Sequence, residues 1–309
     1  MSACETIEIV TPKKVLLNGL WFGPSFAKAS KGKPSKPKKV IIWIHGLGSS
    51  AFSKLAIVEK LKDKNTAVIT FNNRGHDKVS RIAFTDEKRS ANQTLGGSAH
   101  EVFEDCVDDI QGAINFLKKA GIKNIYLAGH STGCQKSIYW ASRKGARGLP
   151  ASRTRQAGVK GIILLAPISD YSAEMHLKGK NVIARAAAAA RALLARKKPR
   201  ALLPESLWPE PIDAQRFISL YTPDSAEEMF TYAQPKKIPR LLQSVKLPIF
   251  ALLADEDEFA DRPAVEIAEW FERNTDANLE TLIVPRATHG FRGKELQVSD
   301  AIKTWLSER

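Results

Sequence analysis

The sequence contains only three cysteines among its 309 residues. Their number is odd and the spacings of Cys4, Cys106 and Cys134 match no metal-ligand pattern, which argues against a disulfide framework and against a cysteine metal site. A dinucleotide-type glycine loop and a metal-ligand cluster are also missing, so we predict no cofactor and no metal. A reducing, cytoplasmic setting is predicted.

Long hydrophobic runs are absent as well. Hydrophobic residues make up 43% of the chain, yet no apolar stretch approaches membrane-spanning length. The first six residues show no basic segment followed by an apolar stretch, so we expect no secretory signal. Length and composition predict a globular protein with one large domain, or one domain that carries an insertion.

Negative charge is scarce relative to positive charge, with 33 acidic against 47 basic residues and a net charge of +14. Much of the excess lies at 28–39, a stretch rich in Pro, Gly, Ser and Lys that indicates a solvated loop, and the rest is spread over 143–160 and 178–200. Aromatic residues that could stack on nucleic-acid bases do not alternate with these basic residues. We therefore predict no specific nucleic-acid binding.

Strand-like and helix-like segments alternate along most of the chain. Glu5–Val10 and Val15–Phe22 predict an opening antiparallel pair with a bend at Asn18-Gly19. Buried strands are predicted at 40–44, 66–71, 125–128, 159–167, 248–254 and 279–285, and helices at 53–62, 99–119, 132–141, 264–273 and 299–307. Repeated crossovers of this kind predict an α/β protein with a mostly parallel central sheet and helices on both faces.

The alternation breaks between the strands predicted at 159–167 and 248–254. An Ala/Arg-rich helix is predicted at 181–198, and a segment rich in proline and aromatic residues follows it. We predict that residues 171–243 form an inserted, mainly helical cap, and that 1–170 and 244–309 form the core.

A G-x-S-x-G motif, Gly129-His130-Ser131-Thr132-Gly133, follows the apolar run at 125–128. This nucleophile elbow requires a strand, a tight turn and a helix, and the segment after it has apolar positions at helical spacing. Glycine is needed on both sides because the turn holds the serine in strained backbone geometry and leaves its hydroxyl open to substrate. Ser131 is therefore predicted to be an exposed nucleophile.

The chain resembles the α/β-hydrolase fold superfamily over nearly its whole length. Besides the elbow, the matching pieces are His45-Gly46-Leu47-Gly48, Asn73-Arg74-Gly75-His76, Asp257 and His289, which give the Ser, Asp, His order of that superfamily. A narrower resemblance, to a branch that contains fungal siderophore-esterase-like proteins, lies in the segments 71–75, 103–106 and 129–135.

The resemblance implies that His289 is the catalytic base, because the superfamily places its base in a loop after the last strand. A serine hydroxyl is a weak nucleophile, so Ser131 needs such an imidazole to take its proton and to return one to the leaving group. The other five histidines lie in motif loops (His45, His76), in the elbow (His130), at a helix start (His100) and in the cap (His176).

A buried carboxylate must hold the imidazole in one tautomer, and the acidic segment 255–258 follows the predicted strand that ends at Ala254. Related enzymes usually have Gly-x-x-Asp here, and Ala254 in the glycine position implies Asp257 as the triad acid. Asp255 is the rival, and Glu256 and Glu258 are weaker candidates because their extra methylene group would shift the carboxylate. The acids that do not take this role are interpreted as a solvated loop.

The oxyanion that develops on an attacked acyl carbon needs two preorganised N–H donors. The backbone of Thr132, at the start of the elbow helix, is one predicted donor. The backbone of Leu47 is the other, because the glycines beside it allow close approach to the substrate.

These residues predict a serine hydrolase, in the first place a carboxylesterase that acts on a small-molecule ester through an acyl-enzyme on Ser131. Thioesterases, amidases and acyltransferases use the same triad, and the fold also serves as a ligand-binding receptor without turnover, so these functions remain alternatives. A serine in the elbow disfavours epoxide and haloalkane hydrolysis. The sequence indicates no particular oligomeric state.

Overall fold

The computed structural model describes residues 4–24, 37–86, 88, 94–145 and 158–309. The predicted solvated loop at 28–39 and the basic stretch at 143–160 lie largely outside the described residues. The strands are β1 Glu5–Val10, β2 Val15–Phe22, β3 Lys39–Ile44, β4 Thr66–Phe71, β5 Ser80–Arg81, β6 Ala83–Phe84, β7 Leu95–Gly96, β8 Ile125–His130, β9 Val159–Leu165, β10 Ile249–Ala254 and β11 Leu279–Val284. The α-helices are α1 Leu55–Leu61, α2 Cys106–Lys119, α3 Thr132–Gly145, α4 Asp170–Lys178, α5 Lys180–Ala195, α6 Ala214–Tyr221, α7 Arg240–Gln243, α8 Ala264–Asn274 and α9 Glu295–Ser307.

A single large sheet in the order β1-β2-β4-β3-β8-β9-β10-β11 forms the centre of the protein, and β6 pairs with β2. Strand β2 runs antiparallel to β1 and β4, and all pairs from β4 to β11 are parallel. Strands β4, β8 and β10 bury every residue, as expected for parallel strands that are covered on both faces. The predicted fold class is confirmed.

Helices pack on both faces of this sheet. Helices α2, α3 and α8 bury apolar residues such as Ile114, Ile138 and Phe271 against one face. On the other face, α1 and α9 contribute residues such as Val58 and Trp305. Because helices cover both faces of the sheet, a site is expected in the loops at the carboxyl ends of the parallel strands.

The bend predicted at Asn18-Gly19 is wrong, because both residues lie inside β2 and pair with Glu8 and Ile7 of β1. The chain turns earlier, where Lys14 has a φ of 67° and donates its backbone N–H to the carbonyl of Thr11. Glycine is needed at position 19 for a different reason. A Cβ there would lie 2.3 Å from the carbonyl oxygen of Thr70 in the neighbouring strand β4.

Two predicted helices have different starts in the structure. The helix predicted at 99–119 is a 3₁₀ turn at Phe103–Asp105 followed by α2, so His100 lies before the helical segment. The last helix begins at Glu295, four residues before its predicted start at Ser299.

The segment between β9 and β10 contains α4 to α7 and a hydrophobic cluster of its own. That cluster includes Ile183 of α5 and three aromatic residues, Trp208, Phe217 and Tyr221. The three aromatic rings contact one another, with centroids 5.0 to 5.4 Å apart. Farther along, Phe230 packs in the main core against Phe271, with ring centroids 5.2 Å apart. The first part of this segment is thus packed on itself, and its last part is packed on the core.

Candidate active site

Ser131 lies between β8 and α3 with a backbone φ of 56°, in the left-handed region that costs a non-glycine residue about 1–2 kcal/mol. A Cβ at Gly129 would lie 2.2 Å from the carbonyl oxygen of Gly133, and a Cβ at Gly133 would lie 2.2 Å from that of Ile44. Both glycines of the motif are therefore required by backbone atoms that pass directly beside them.

The loop after β3 contacts the same serine. A Cβ at Gly46 would lie 2.8 Å from the Cβ of Ser131 and 3.4 Å from its Oγ. Leu47, the next residue, lines one cavity with Ser131 and also packs against the cluster of the β9–β10 segment. Thr132 follows Ser131 as the first residue of α3 and is fully buried.

His289 lies in the loop between β11 and α9 and lines the cavity with Ser131. Its Nδ1 lies 2.8 Å from Oδ2 of Asp257, and this carboxylate is 4% exposed. Because a carboxylate only accepts, Nδ1 carries the proton of the neutral ring and Nε2 keeps the lone pair that a base needs. The other oxygen of Asp257 accepts the backbone N–H of Phe259 at 3.0 Å.

Three side chains hold the backbone of the His289 loop. Glu258 accepts the N–H of His289 at 2.8 Å, His130 donates from Nε2 to its carbonyl oxygen at 2.9 Å, and Lys54 donates to the carbonyl oxygen of Gly290 at 3.0 Å. The sequence does not predict these contacts. Glu258 is exposed, as the interpretation as a solvated loop expects, yet its carboxylate binds His289. The two residues of each contact are 31, 159 and 236 positions apart in the chain, so no local sequence pattern could reveal these contacts.

The cavity that contains Ser131 and His289 has a volume of about 330 Å³, near the lower end of ordinary small-molecule pockets. Its other wall comes from α4 and α6, which contribute Asp170, Glu174 and Tyr221. Burial raises the pKa of Asp170 well above its ordinary value, and the negative charge of Glu227 raises it further. This wall is therefore mixed in character, because Ala173 and Ile168 line it beside the two acids. Trp208 and Phe217 pack in the helical cluster and do not line the cavity.

A chain of buried ion pairs runs from the elbow helix into the β9–β10 segment. Lys136 of α3 binds Glu101 at 2.6 Å, Glu101 also binds Arg216 of α6 at 3.0 Å, and Arg216 binds Glu227. All four side chains are at most 3% exposed. We call this set the buried ion chain.

The structure also shows what surrounds His45 and His100. Burial, together with the positive charge of Lys136, lowers the pKa of His45 to about 3. The Nδ1 atom of His45 lies 2.9 Å from the carbonyl oxygen of Gly46. The Nδ1 atom of His100 lies 2.9 Å from Oδ2 of Asp213, the residue that directly precedes α6.

Within the described part of the chain, no group of three or more His, Cys, Asp or Glu side chains could hold a metal ion. Among the same residues, no helix has the length and apolar character that a membrane crossing requires.

A family model described as "Protein of unknown function (DUF1749)" matches residues 89–308. A curated relative, the "Putative esterase/lipase 2" of Mycoplasma genitalium, is 28% identical over 146 residues, which are 47% of this chain and 44% of that protein. The matched region thus spans less than half of the relative's length.

Solved structures resemble the chain along nearly its full length. An esterase of Pyrococcus furiosus has 19% identity and a TM-score of 0.59, with 99% of this chain and 91% of that chain covered. Est1E from Butyrivibrio proteoclasticus with bound ferulic acid has 18% identity, 98% coverage of both chains and a TM-score of 0.60. A dienelactone hydrolase of Anabaena variabilis has 15% identity, with 99% and 97% covered and a TM-score of 0.54. These similarities show the α/β-hydrolase fold.

Proposed function

The chain belongs to the DUF1749 family of proteins of unknown function, and from the geometry of its site we propose that it is a serine hydrolase. One observation carries the proposal. A serine strained at a φ of 56° in a G-x-S-x-G elbow lines the same cavity as a histidine whose Nδ1 is bound to a buried carboxylate. This arrangement meets the requirements of an activated nucleophile, its base and the group that orients the base.

In the proposed reaction, Ser131 Oγ attacks the acyl carbon while Nε2 of His289 takes its proton. Asp257 holds the imidazole in the required tautomer and offsets the positive charge that forms on it. The backbone N–H groups of Leu47 and Thr132 stabilise the oxyanion. His289 then donates the proton to the leaving group and activates the water that releases the acyl group from Ser131, so this chemistry needs no cofactor.

We propose a carboxylic ester as the substrate. The names of two similar proteins support this choice, since one solved neighbour is named an esterase and the curated relative is named a putative esterase/lipase. The cavity of about 330 Å³ favours a small ester. We further propose that residues 171–243 act as the cap, because α4 and α6 supply the wall that faces Ser131.

Labelling with a fluorophosphonate tests this function, since the probe reacts only with an activated serine. We expect wild type to be labelled at one site and to hydrolyse p-nitrophenyl acetate, and we expect Ser131→Ala to lose both properties. Ser137→Ala is the matched control, because Ser137 lies in the helix that follows Ser131 and its hydroxyl donates to the carbonyl oxygen of Gly133.

Wild type that neither reacts with the probe nor turns over esters would contradict the proposal and favour a binding protein. Faster turnover of matched thioesters or anilides than of the oxygen ester would keep the serine mechanism and replace the substrate class.

A further inference from the structure

The second residue of the elbow contacts the loop that carries the proposed base. We propose that His130 is a positioning residue that sets His289 against Ser131. This inference rests on the proposed serine-hydrolase function, and it assigns a role to a residue that neither attacks the substrate nor transfers its proton.

The contact joins two segments that are 159 residues apart in the chain. Nε2 of His130 donates to the carbonyl oxygen of His289 at 2.9 Å, and the two rings lie 5.1 Å apart between centroids. His130 is 7% exposed, so water does not compete strongly for this hydrogen bond. Because His130 directly precedes Ser131, the bond links the base loop to the nucleophile through a single peptide unit.

Two other side chains bind the same loop from different directions. Glu258 accepts the backbone N–H of His289, and Lys54 donates to the carbonyl oxygen of Gly290. Both come from loops outside the elbow. His130 is the member of this set that belongs to the elbow, so its hydrogen bond fixes the distance between base and nucleophile.

The protonation of His130 suits this role. A carbonyl only accepts, so Nε2 must carry the proton in the neutral ring. Burial, together with the nearby His289 and Lys54, lowers the pKa of His130 to about 3. The ring therefore donates without adding a positive charge next to the imidazolium that His289 becomes during the reaction.

Two neutral substitutions that differ by one methylene group test the proposal. The amide nitrogen of glutamine reaches about the position of imidazole Nε2, whereas that of asparagine ends near the position of Nδ1. We expect His130→Gln to keep kcat for p-nitrophenyl acetate within about 5-fold of wild type. We expect His130→Asn to lower kcat by about 10- to 100-fold, because a base displaced by about 1 Å can lose that much, with KM within about 2-fold.

Each rate is divided by the amount of serine that the fluorophosphonate has labelled when the reaction is complete. Unfolded protein is not labelled and therefore does not enter the rate. The rate of labelling should fall in the asparagine variant together with kcat. His176→Asn is the matched control, because this histidine is exposed on α4, and it should behave as wild type.

Equal kcat values per labelled serine in the glutamine and asparagine variants would overturn the positioning role, whether both are high or both are low. A change in KM alone would also overturn it. Wild type that is neither labelled nor active would instead overturn the serine-hydrolase function, and the inference with it.

Discussion

Asp257 and His289 are joined by a 2.8 Å contact between Oδ2 and Nδ1, at a carboxylate that is 4% exposed. Asp255, the other aspartate that the sequence offers for this role, is exposed and accepts the backbone N–H of Arg286 at 3.3 Å. The two acids therefore differ in burial and in the atom that they bind.

The first prediction separates these two acids. We expect Asp257→Asn to lower kcat by roughly 10³- to 10⁴-fold, because the amide no longer holds the imidazole in the tautomer that leaves Nε2 free. Asp255→Asn should stay within about 3-fold of wild type, since its partner is a backbone group. Steady-state kinetics with p-nitrophenyl acetate measure both variants, and a larger loss in the Asp255 variant would contradict the assignment.

The second prediction concerns the contact between Gly46 and Ser131. We expect Gly46→Ala to lower kcat by at least about 10-fold, because the added Cβ would lie 2.8 Å from the Cβ of Ser131 and must displace it. Gly293→Ala is the control, since its φ of 78° strains the backbone but its Cβ would meet no atom within 4 Å. That control should lose about 1–2 kcal/mol of stability and keep its kcat. Full activity in the Gly46 variant would show that the loop yields instead.

The third prediction uses the size of the cavity. With about 330 Å³ available beside Ser131, we expect kcat/KM for p-nitrophenyl esters to be highest for acetate to butyrate and to fall from octanoate onward. Trp208 and Phe217 are buried and do not line the cavity, so they offer no surface to a longer acyl chain. A flat or rising response with chain length would show that the segment carrying Asp170 and Tyr221 moves away on binding.

The fourth prediction concerns pH and Glu228. Burial raises the pKa of Glu228 to about 7 from an ordinary value of 4.5, although Ser169 donates to its carboxylate. The folded state then binds the proton more tightly than the unfolded chain. This group favours folding fully below about pH 4.5, and the contribution is lost as the pH rises through about 7.

Glu228→Gln, which keeps the neutral form, should therefore gain stability relative to wild type between pH 5 and pH 8, by at most about 3 kcal/mol. Urea unfolding at both pH values measures the difference. Glu205→Gln, an exposed position in the same segment, should follow the wild-type pH dependence. Parallel stability curves for wild type and Glu228→Gln would show that Glu228 titrates near its ordinary value.

The fifth prediction addresses the buried ion chain. Arg216→Met should lower the free energy of unfolding by about 3–5 kcal/mol, because it leaves Glu227 buried without its cation. Adding Glu227→Gln should recover part of that loss, whereas additive losses in the double variant would mean that the two residues do not interact. Chemical unfolding of the single and double variants provides the measurement.

Much of the sheet could be predicted from the sequence because strands buried on both faces are continuous apolar runs. The bounds of β1, β2 and β4 match the predicted ones. The bend at Asn18-Gly19 could not be judged locally, since Gly19 is required by the carbonyl of Thr70, which comes from another strand. The predicted site residues lie in recognisable motifs, but Glu258, Lys54 and His130 act through backbone atoms far along the chain and leave no local pattern.

The buried ion chain also bears on how this protein could be altered. Glu101 and Lys136 belong to the core, while Arg216 and Glu227 belong to the segment between β9 and β10. Each side holds one balanced pair, and the contact between Arg216 and Glu101 joins the two pairs. Recombination that replaced the whole segment with that of another hydrolase would keep the pair of Lys136 and Glu101 but would remove the cation from the second buried oxygen of Glu101. Substrate range in this chain is therefore better redesigned by single changes on the inner wall, at Glu174 or Tyr221, than by exchanging the segment as a module.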